Sequence, residues 1–304
     1  MVGIINRLMS KDKGISKKEE SQMTLSPKSI FRLPASDWNP TLKVLNDHGV
    51  TLDHLDLLRV NNGNNSYARR VALAFVQNGV DSSTDTRIAR LLLGKSFVDV
   101  CDWVTLYSAH FTAKEKKAAL KFPWDEDVLQ SPDPWEPKKM IKDTHIAFLG
   151  IEKIGNDPLT VAKWIELHLS TGQPKFYHSN NPWHVGQPHT DVATLLPRWY
   201  LLRTEIIPGS TKQSPDEMDK MLPSEYEVPS TIAEVTKDIL AFRKTGVRPN
   251  PSRWASCSET TIKTEKCSGG YPSVVGDFDE DGLSVSGWGG TRSDDVGCGA
   301  ARKF

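Results

Sequence analysis

The run WASCSETTIKTEKCSGGYPSVVGDFDEDGLSVSGWGGTRSDDVGCGAARKF, Trp254 to Phe304, decides how the rest of the chain is read. Two kinds of position alternate in it. Val274, Val275, Phe278, Leu283, Val285 and Val296 are apolar or β-branched and fall in short alternating runs, the pattern of half-buried strands. Between them stand Ser284, Ser286, Gly287, Gly289, Gly290, Thr291, Ser293, Asp294, Asp295 and Cys298, small or polar, with no ladder of catalytic types. A Gly/Ser/Asp-rich stretch of this kind is at minimum a surface loop.

VGDFDEDGLSV (Val275 to Val285), the loop Trp288 to Asp295 and the terminal GCGAARKF (Gly297 to Phe304) resemble the variable proteins of diversity-generating retroelements. That resemblance implies a C-type-lectin-like fold, akin to formylglycine-generating enzymes, with a loop face rewritten by adenine-directed mutagenesis, mostly of AAC codons. Such changes reach Ser, Gly, Asp, Thr, Cys, Tyr, Arg and His, and never Lys, Glu, Gln or Met. Between Asp281 and Ala301 none of those four occurs. Trp288 departs from the pattern, since no Asn codon becomes a Trp codon in this way, so it is either framework or derived from another codon. The resemblance implies a ligand-binding protein, not an enzyme. Its face is assigned to Cys257, Ser258, Asp277, Ser284, Ser286, Gly287, Trp288, Gly289, Gly290, Thr291, Ser293, Asp294, Asp295 and Cys298, with Trp288 as the one large anchor. The implied partner is a protein or other macromolecule, and oligomerisation is compatible with the family.

Composition supports this without naming the ligand. Acidic and basic residues balance at 38 each, so no bulk field attracts nucleic acid or anionic membrane. No apolar run reaches the length of a membrane span, and MVGIINRLMSKDKG lacks a secretory h-region, so the expected place is the cytoplasm, with surface display by another route left open. Cys101, Cys257, Cys267 and Cys298 form no CxxC pair; free thiols are expected over a Cys257–Cys267 bridge.

The expected architecture is α+β, a helical N-terminal region followed by a β-rich C-type-lectin-like domain. Residues 1–34 read as a solvated tail, since KDKGISKKEESQ has too little apolar content to offset the entropy of ordering. Residues 35–210 read as a mainly helical scaffold, with helical periodicity at Leu42 and Leu45, at Leu52 to Leu58, at Tyr67 to Val76 and from Thr86 to Leu93. Phe111 to Ile151 reads as an irregular, packed connection, because linkers seldom carry tryptophans such as Trp124 and Trp135. HIAFLGI at His145 to Ile151 is a buried strand candidate. A helix begins near Pro158 and Thr160 with Pro in its first turn, and LLPRWYLLRTEII (Leu195 to Ile207) is a core strand or a buried helix, the strand being favoured. The charged segment Ser210 to Val228 marks a boundary, and 211–304 form the variable domain with its flanking helix. That helix has Thr231 and Glu234 as a capping box, an apolar stripe of Ile232, Val235, Ile239 and Phe242, and Gly246 as its stop.

The competing reading is a calcium- or zinc-dependent binding protein or enzyme. Asp277-Phe278-Asp279-Glu280-Asp281-Gly282 matches the first half of a calcium loop, but Trp288 stands where the bidentate Glu belongs. On a strand these carboxylates would be about 7 Å apart and unable to wrap one ion. His168, His178, His184, His189 and Asp191 offer zinc ligands without zinc spacing; His184 and Trp183 suit equally a surface receiving the C-terminal segment. Cys257, Cys267 and Cys298 have no neighbouring His to activate them for oxidation chemistry. No metal or cofactor is therefore expected.

Overall fold

In the computed structural model, residues 42–43, 84–168, 172–177 and 184–303 are described. The chain divides into two compact units, Met1–Phe75 and Val76–Phe304. The expected tail and the three expected helices between Asn39 and Val76 lie outside the described residues, apart from the helical pair Leu42 and Lys43.

The second unit is mixed α+β. Its first helix, α1 (Thr84–Leu93), stops where expected, at Gly94 with φ +55°, and a short 3-10 turn leads into β1 (Phe97–Val98). Helix α2 (Val100–Tyr107) starts because Asp99 accepts from the N–H groups of Cys101 and Asp102 while the Asp102 carboxylate reaches back, a reciprocal cap. Thr112 and Glu115 do the same for α3 (Ala113–Ala119). Short helices α4 (Glu126–Leu129) and α5 (Ile141–Thr144) precede β2 (His145–Leu149), every residue of which is buried. The hairpin β3 (Lys153–Ile154) and β4 (Asp157–Pro158) follows, then α6 (Val161–Leu167), capped by Thr160. Pro158 therefore ends a strand ahead of the cap and does not sit in the helix's first turn. Next come α7 (Pro188–Asp191), β5 (Trp199–Arg203), α8 (Pro215–Lys220), β6 (Tyr226–Glu227) and the long helix α9 (Thr231–Thr245). The remainder is β7 (Trp254–Thr260), β8 (Pro272–Gly276), β9 (Ser284–Gly287), β10 (Val296–Cys298) and β11 (Ala301–Arg302).

Apart from the two-stranded hairpin β3-β4, two sheets hold these strands: a five-stranded sheet in the order β1-β2-β5-β11-β6, and a four-stranded sheet in the order β10-β7-β8-β9. The last strand crosses the boundary expected near residue 210. β11 leaves the four-stranded sheet and inserts between β5 and β6, with Ala301 opposite Leu202 on one side and Glu227 on the other. The passage between sheets is close. A Cβ on Gly297 would lie 2.6 Å from the side chains of both Ile206 and Ser210, so any larger residue would have to displace them. Ser210, at the expected break, is fully buried and its hydroxyl accepts from the Cys298 N–H at 2.9 Å. The described residues between 84 and 210 also supply β1, β2 and β5, more than half of the five-stranded sheet, where a mainly helical scaffold is expected. The connection from Phe111 to Ile151 is packed as expected: the indole N–H groups of Trp124 and Trp135 donate to the carbonyls of Lys303 and Met221.

Helix α9 closes the core against β7 and β8. Ile232, Val235 and Ile239 are buried, and Phe242 meets Phe278 at 5.5 Å between ring centroids. The expected cap is displaced by one residue: Ser230 accepts from the Ala233 N–H, while the Thr231 hydroxyl bonds to Glu259 and Ser273. Burial runs almost all round the helix and includes Glu234, Lys237 and Asp238, which pair with one another. Among the described residues no helix is long and apolar enough to cross a membrane.

Candidate functional site

Pairing registers divide the four-stranded sheet into two faces. Ala255 lies opposite Val275, and Val275 opposite Val285; together with Cys257 these side chains form the face packed by α9. Trp254, Ser256, Val274, Ser284 and Ser286 point the other way, and so do Val296 and Cys298 of the parallel neighbour β10. This outer face has a small core of its own, built by Val274, Val296, Cys298 and Ala300 with Ile207, Met218 and Tyr226.

Trp288 belongs to that second core. Its side chain is 7% exposed, and its backbone N–H donates to the Pro272 carbonyl at 2.8 Å, so the loop after β9 folds back across the sheet and drives the indole against Val274. Of the two readings of Trp288, framework is the one its burial supports, and its assignment as a ligand anchor is corrected. Cys257 and Cys298 are corrected as well. They are buried on opposite faces of the sheet, one under α9 and the other in the outer cluster, and cannot join one surface or one redox pair. Burial pushes the Cys257 thiol well above its usual range and the Cys298 thiol up to about 12, so both are protonated. All four cysteines are free.

The remaining assigned positions do reach solvent, and three of them converge. Asp277, Ser284 and Ser286 line a cleft of about 390 Å³ with Asp279, Asp281, His184, Tyr177 and Trp254. Local geometry makes it. A Cβ on Gly276 would lie 2.1 Å from the Arg253 carbonyl, so β8 ends pressed against the start of β7, and Asp277 then turns the chain at φ +47°. Its N–H donates to the Arg253 carbonyl at 2.7 Å, and the Asp279 carboxylate accepts from the Asp281 N–H at 2.7 Å. Phe278, fully buried, pins the loop to α9. On the far side the Tyr177 N–H donates to the Leu283 carbonyl, a parallel bridge that adds the Phe176–Tyr177 segment to the loop leading into β9. Partial burial raises the Asp277 carboxyl pKa, as do the charges of Asp279 and Asp295, so Asp295 also borders this region.

Ser258 is exposed toward the end of β7, and Gly287 is half-buried at the end of β9. Beyond the cleft, Gly289, Gly290, Thr291, Ser293 and Asp294 follow the loop toward β10. That loop is tethered to residues 212–217: the Ser293 carbonyl accepts from the Lys212 N–H, Asp294 pairs with the Lys212 ammonium at 3.0 Å, and Arg292 pairs with Glu217. Sequence reading missed Tyr177 and Trp254 as cleft residues. Tyr177 carried no signal, since only the non-local bridge to Leu283 brings it there.

The metal readings change in their grounds. Asp277, Asp279 and Asp281 occupy a turn and not a strand, so the spacing argument made for a row of carboxylates does not apply. Among the described residues no group of three or more His, Cys, Asp or Glu side chains is arranged to hold an ion. His168 stacks on Trp164 and shares a hydrogen bond with the Tyr107 hydroxyl at 3.0 Å, while His189 is buried elsewhere; His178 and Trp183 lie outside the described residues.

A buried polar network that the sequence did not reveal joins the two halves of the unit. His145 bonds through Nδ1 to the Thr144 hydroxyl at 2.8 Å and through Nε2 to the Tyr226 hydroxyl at 3.2 Å. Asp133 pairs with Arg203 at 3.1 Å, and Arg203 also pairs with Glu136 and donates to the carbonyls of Glu205 and Ile206. Burial opposes ionisation of Asp133, but hydrogen bonds from Thr144 and two backbone N–H groups, with the Arg203 charge, hold its pKa below the usual value. Each buried charge here is met by a partner, as a structural network requires. Comparison with known protein families, with curated proteins and with solved structures finds no match to this chain.

Proposed function

We propose that this chain is a ligand-binding protein of the diversity-generating-retroelement variable class, and that its C-terminal loop face recognises a macromolecular target. One observation carries the reading. In the segment Val274 to Val296 the alternating apolar positions are buried in two cores, whereas Asp277, Ser284, Ser286, Gly289, Thr291, Asp294 and Asp295 keep some contact with solvent. Side chains at those seven positions can be exchanged without removing a buried contact, which is what a diversified surface needs. The cleft supplies carboxylates, hydroxyls and an exposed tyrosine, and suits a target that donates hydrogen bonds. The finer fold reading goes with this proposal: a long helix closing a small sheet, with the last strand returning to an N-terminal sheet, is the arrangement expected of a C-type-lectin-like domain.

The test is genetic. The DNA flanking the gene is sequenced for a near-copy of the codons from Val274 to Ala301, differing at adenines, beside a reverse transcriptase frame. With such a copy present, its mismatches should fall on solvent-reaching positions and spare Val274, Val285, Trp288, Val296 and Cys298. Mismatches at those buried positions, or the absence of any copy, would overturn the reading.

A further inference from the structure

A second concavity, of about 600 Å³, shares no lining residue with the loop-face cleft. It opens between the segment Ala109–Lys121, which includes α3, and the ends of β2 and β5. Its walls are apolar at depth: Leu149, Ile151 and Trp199 are nearly fully buried, and Phe111 and Ala118 stand above them. The walls are also fixed. The Trp199 indole N–H donates to the Ala119 carbonyl at 3.0 Å, the Gly150 N–H donates to the Arg198 carbonyl at 2.7 Å, and Trp199 stacks on Phe97 at 4.9 Å. A volume within the usual range of small-molecule sites, apolar and preformed, is what such a site requires.

The rim has a sign. Lys114, Lys121 and Lys153 border the cavity and make no salt bridge among the described residues. With Arg198 the lining carries four basic residues against two acidic ones, Glu152 and Glu115, the latter also capping α3 through the Thr112 N–H. Exposed ammonium groups over an apolar floor complement a ligand with an apolar body and an anionic head. We infer that this cavity binds a small amphipathic anion, an acyl or aryl chain ending in a carboxylate, with the chain on Trp199, Leu149 and Ile151 and the carboxylate at the three lysines.

The test titrates the full chain with sodium decanoate, below its micelle concentration, by isothermal calorimetry, with decylamine as the chain-matched cation. Saturable binding of one decanoate per chain, with decylamine bound at least about ten-fold more weakly, is expected. The triple variant Lys114→Ala, Lys121→Ala, Lys153→Ala should weaken decanoate about ten-fold while its thermal midpoint stays at the wild-type value, since all three side chains are exposed. Ala118→Phe, which fills the cavity from an exposed helical position, should abolish binding. Equal affinity for the amine, or wild-type affinity in the Ala118→Phe variant, would overturn the inference. Sedimentation of the chain with phosphatidylglycerol vesicles in a lysine-dependent manner, without decanoate binding, would also overturn it, in favour of a membrane surface.

Discussion

Replacing Trp288 by Ala is the sharpest perturbation of this fold, because the position sits at the point where a binding loop and a second core meet. The indole is 7% exposed and lies among Val274, Val296 and Cys298, each 6% exposed or less. Truncating a buried Trp to Ala removes its transfer free energy and leaves a cavity, together about 3–5 kcal/mol. For a unit of this size that corresponds to a fall in Tm of roughly 10 °C. Urea unfolding followed by circular dichroism should show the lower midpoint with an unchanged m value. Trp288→Phe separates packing from polarity. The indole Nε1 is buried with no hydrogen-bond partner among the described residues, so Phe keeps most of the apolar contact and removes that orphan donor. Its cost should stay under about 1.5 kcal/mol. If Trp288→Ala unfolds within about 0.5 kcal/mol of wild type, the side chain is not core and the surface role expected from the loop's composition returns.

Three further outcomes follow from the buried polar groups. Burial raises the Asp238 pKa from its ordinary 3.8 to about 8, with Lys237 opposing and Glu234 adding to the rise. The folded value lies above the unfolded one, so Asp238 favours the native state fully at low pH and that contribution is lost as pH climbs toward 8; Asp238→Asn should gain stability over wild type between pH 5 and 8.5, measured by urea midpoints, whereas Lys237→Met should lose about 3–5 kcal/mol at pH 7. His145 has the opposite sign. Burial lowers its pKa to about 3, only partly countered by Asp133, so its contribution is intact above about pH 6.5 and is lost as pH falls toward 3. His145→Gln should flatten the acid arm of the stability profile, and an unchanged slope would exclude His145 as its source. Iodoacetamide should label exposed Cys101 quickly and leave Cys257 and Cys298 unmodified until the protein unfolds, which peptide mass mapping would read directly.

What the sequence made legible is the part of the structure set by local pattern. Alternation placed Val274, Val275, Leu283, Val285 and Val296 in cores, the apolar run at His145 to Leu149 became a fully buried strand, and the stripe and stop signals found α9. What stayed hidden depends on contacts distant in sequence. Charge between Ser210 and Val228 read as a boundary, yet its Lys212 and Glu217 pair with Asp294 and Arg292 about eighty residues on. Two residues, Ala301 and Arg302, close the five-stranded sheet, and so short a strand has no periodicity to detect. Glu234 read as part of the helix cap, and Lys237 and Asp238 lie off the apolar stripe of Ile232, Val235, Ile239 and Phe242. Enclosure of α9 on nearly all sides turns them into a buried charge cluster.

The same non-local contacts narrow the surface that diversification could use. By residue type alone, every small polar position between Cys257 and Cys298 is equivalent. The two faces of the four-stranded sheet break that equivalence: side chains entering the α9 core or the outer core carry stability, and those pointing past the rim do not. Cys257, Trp288 and Cys298 fall in the first group. Ser284 and Ser286 lie on β9, the end strand of its sheet, where the face leaves the outer core and opens into the cleft, so larger side chains there would meet solvent or ligand before any buried neighbour. Tyr substituted at both serines should therefore unfold within about 0.5 kcal/mol of wild type, whereas Asp at the intervening Val285 should cost several times as much. A comparable loss at all three positions would mean that β9 is core throughout, and the loop face would then have no strand on which to vary.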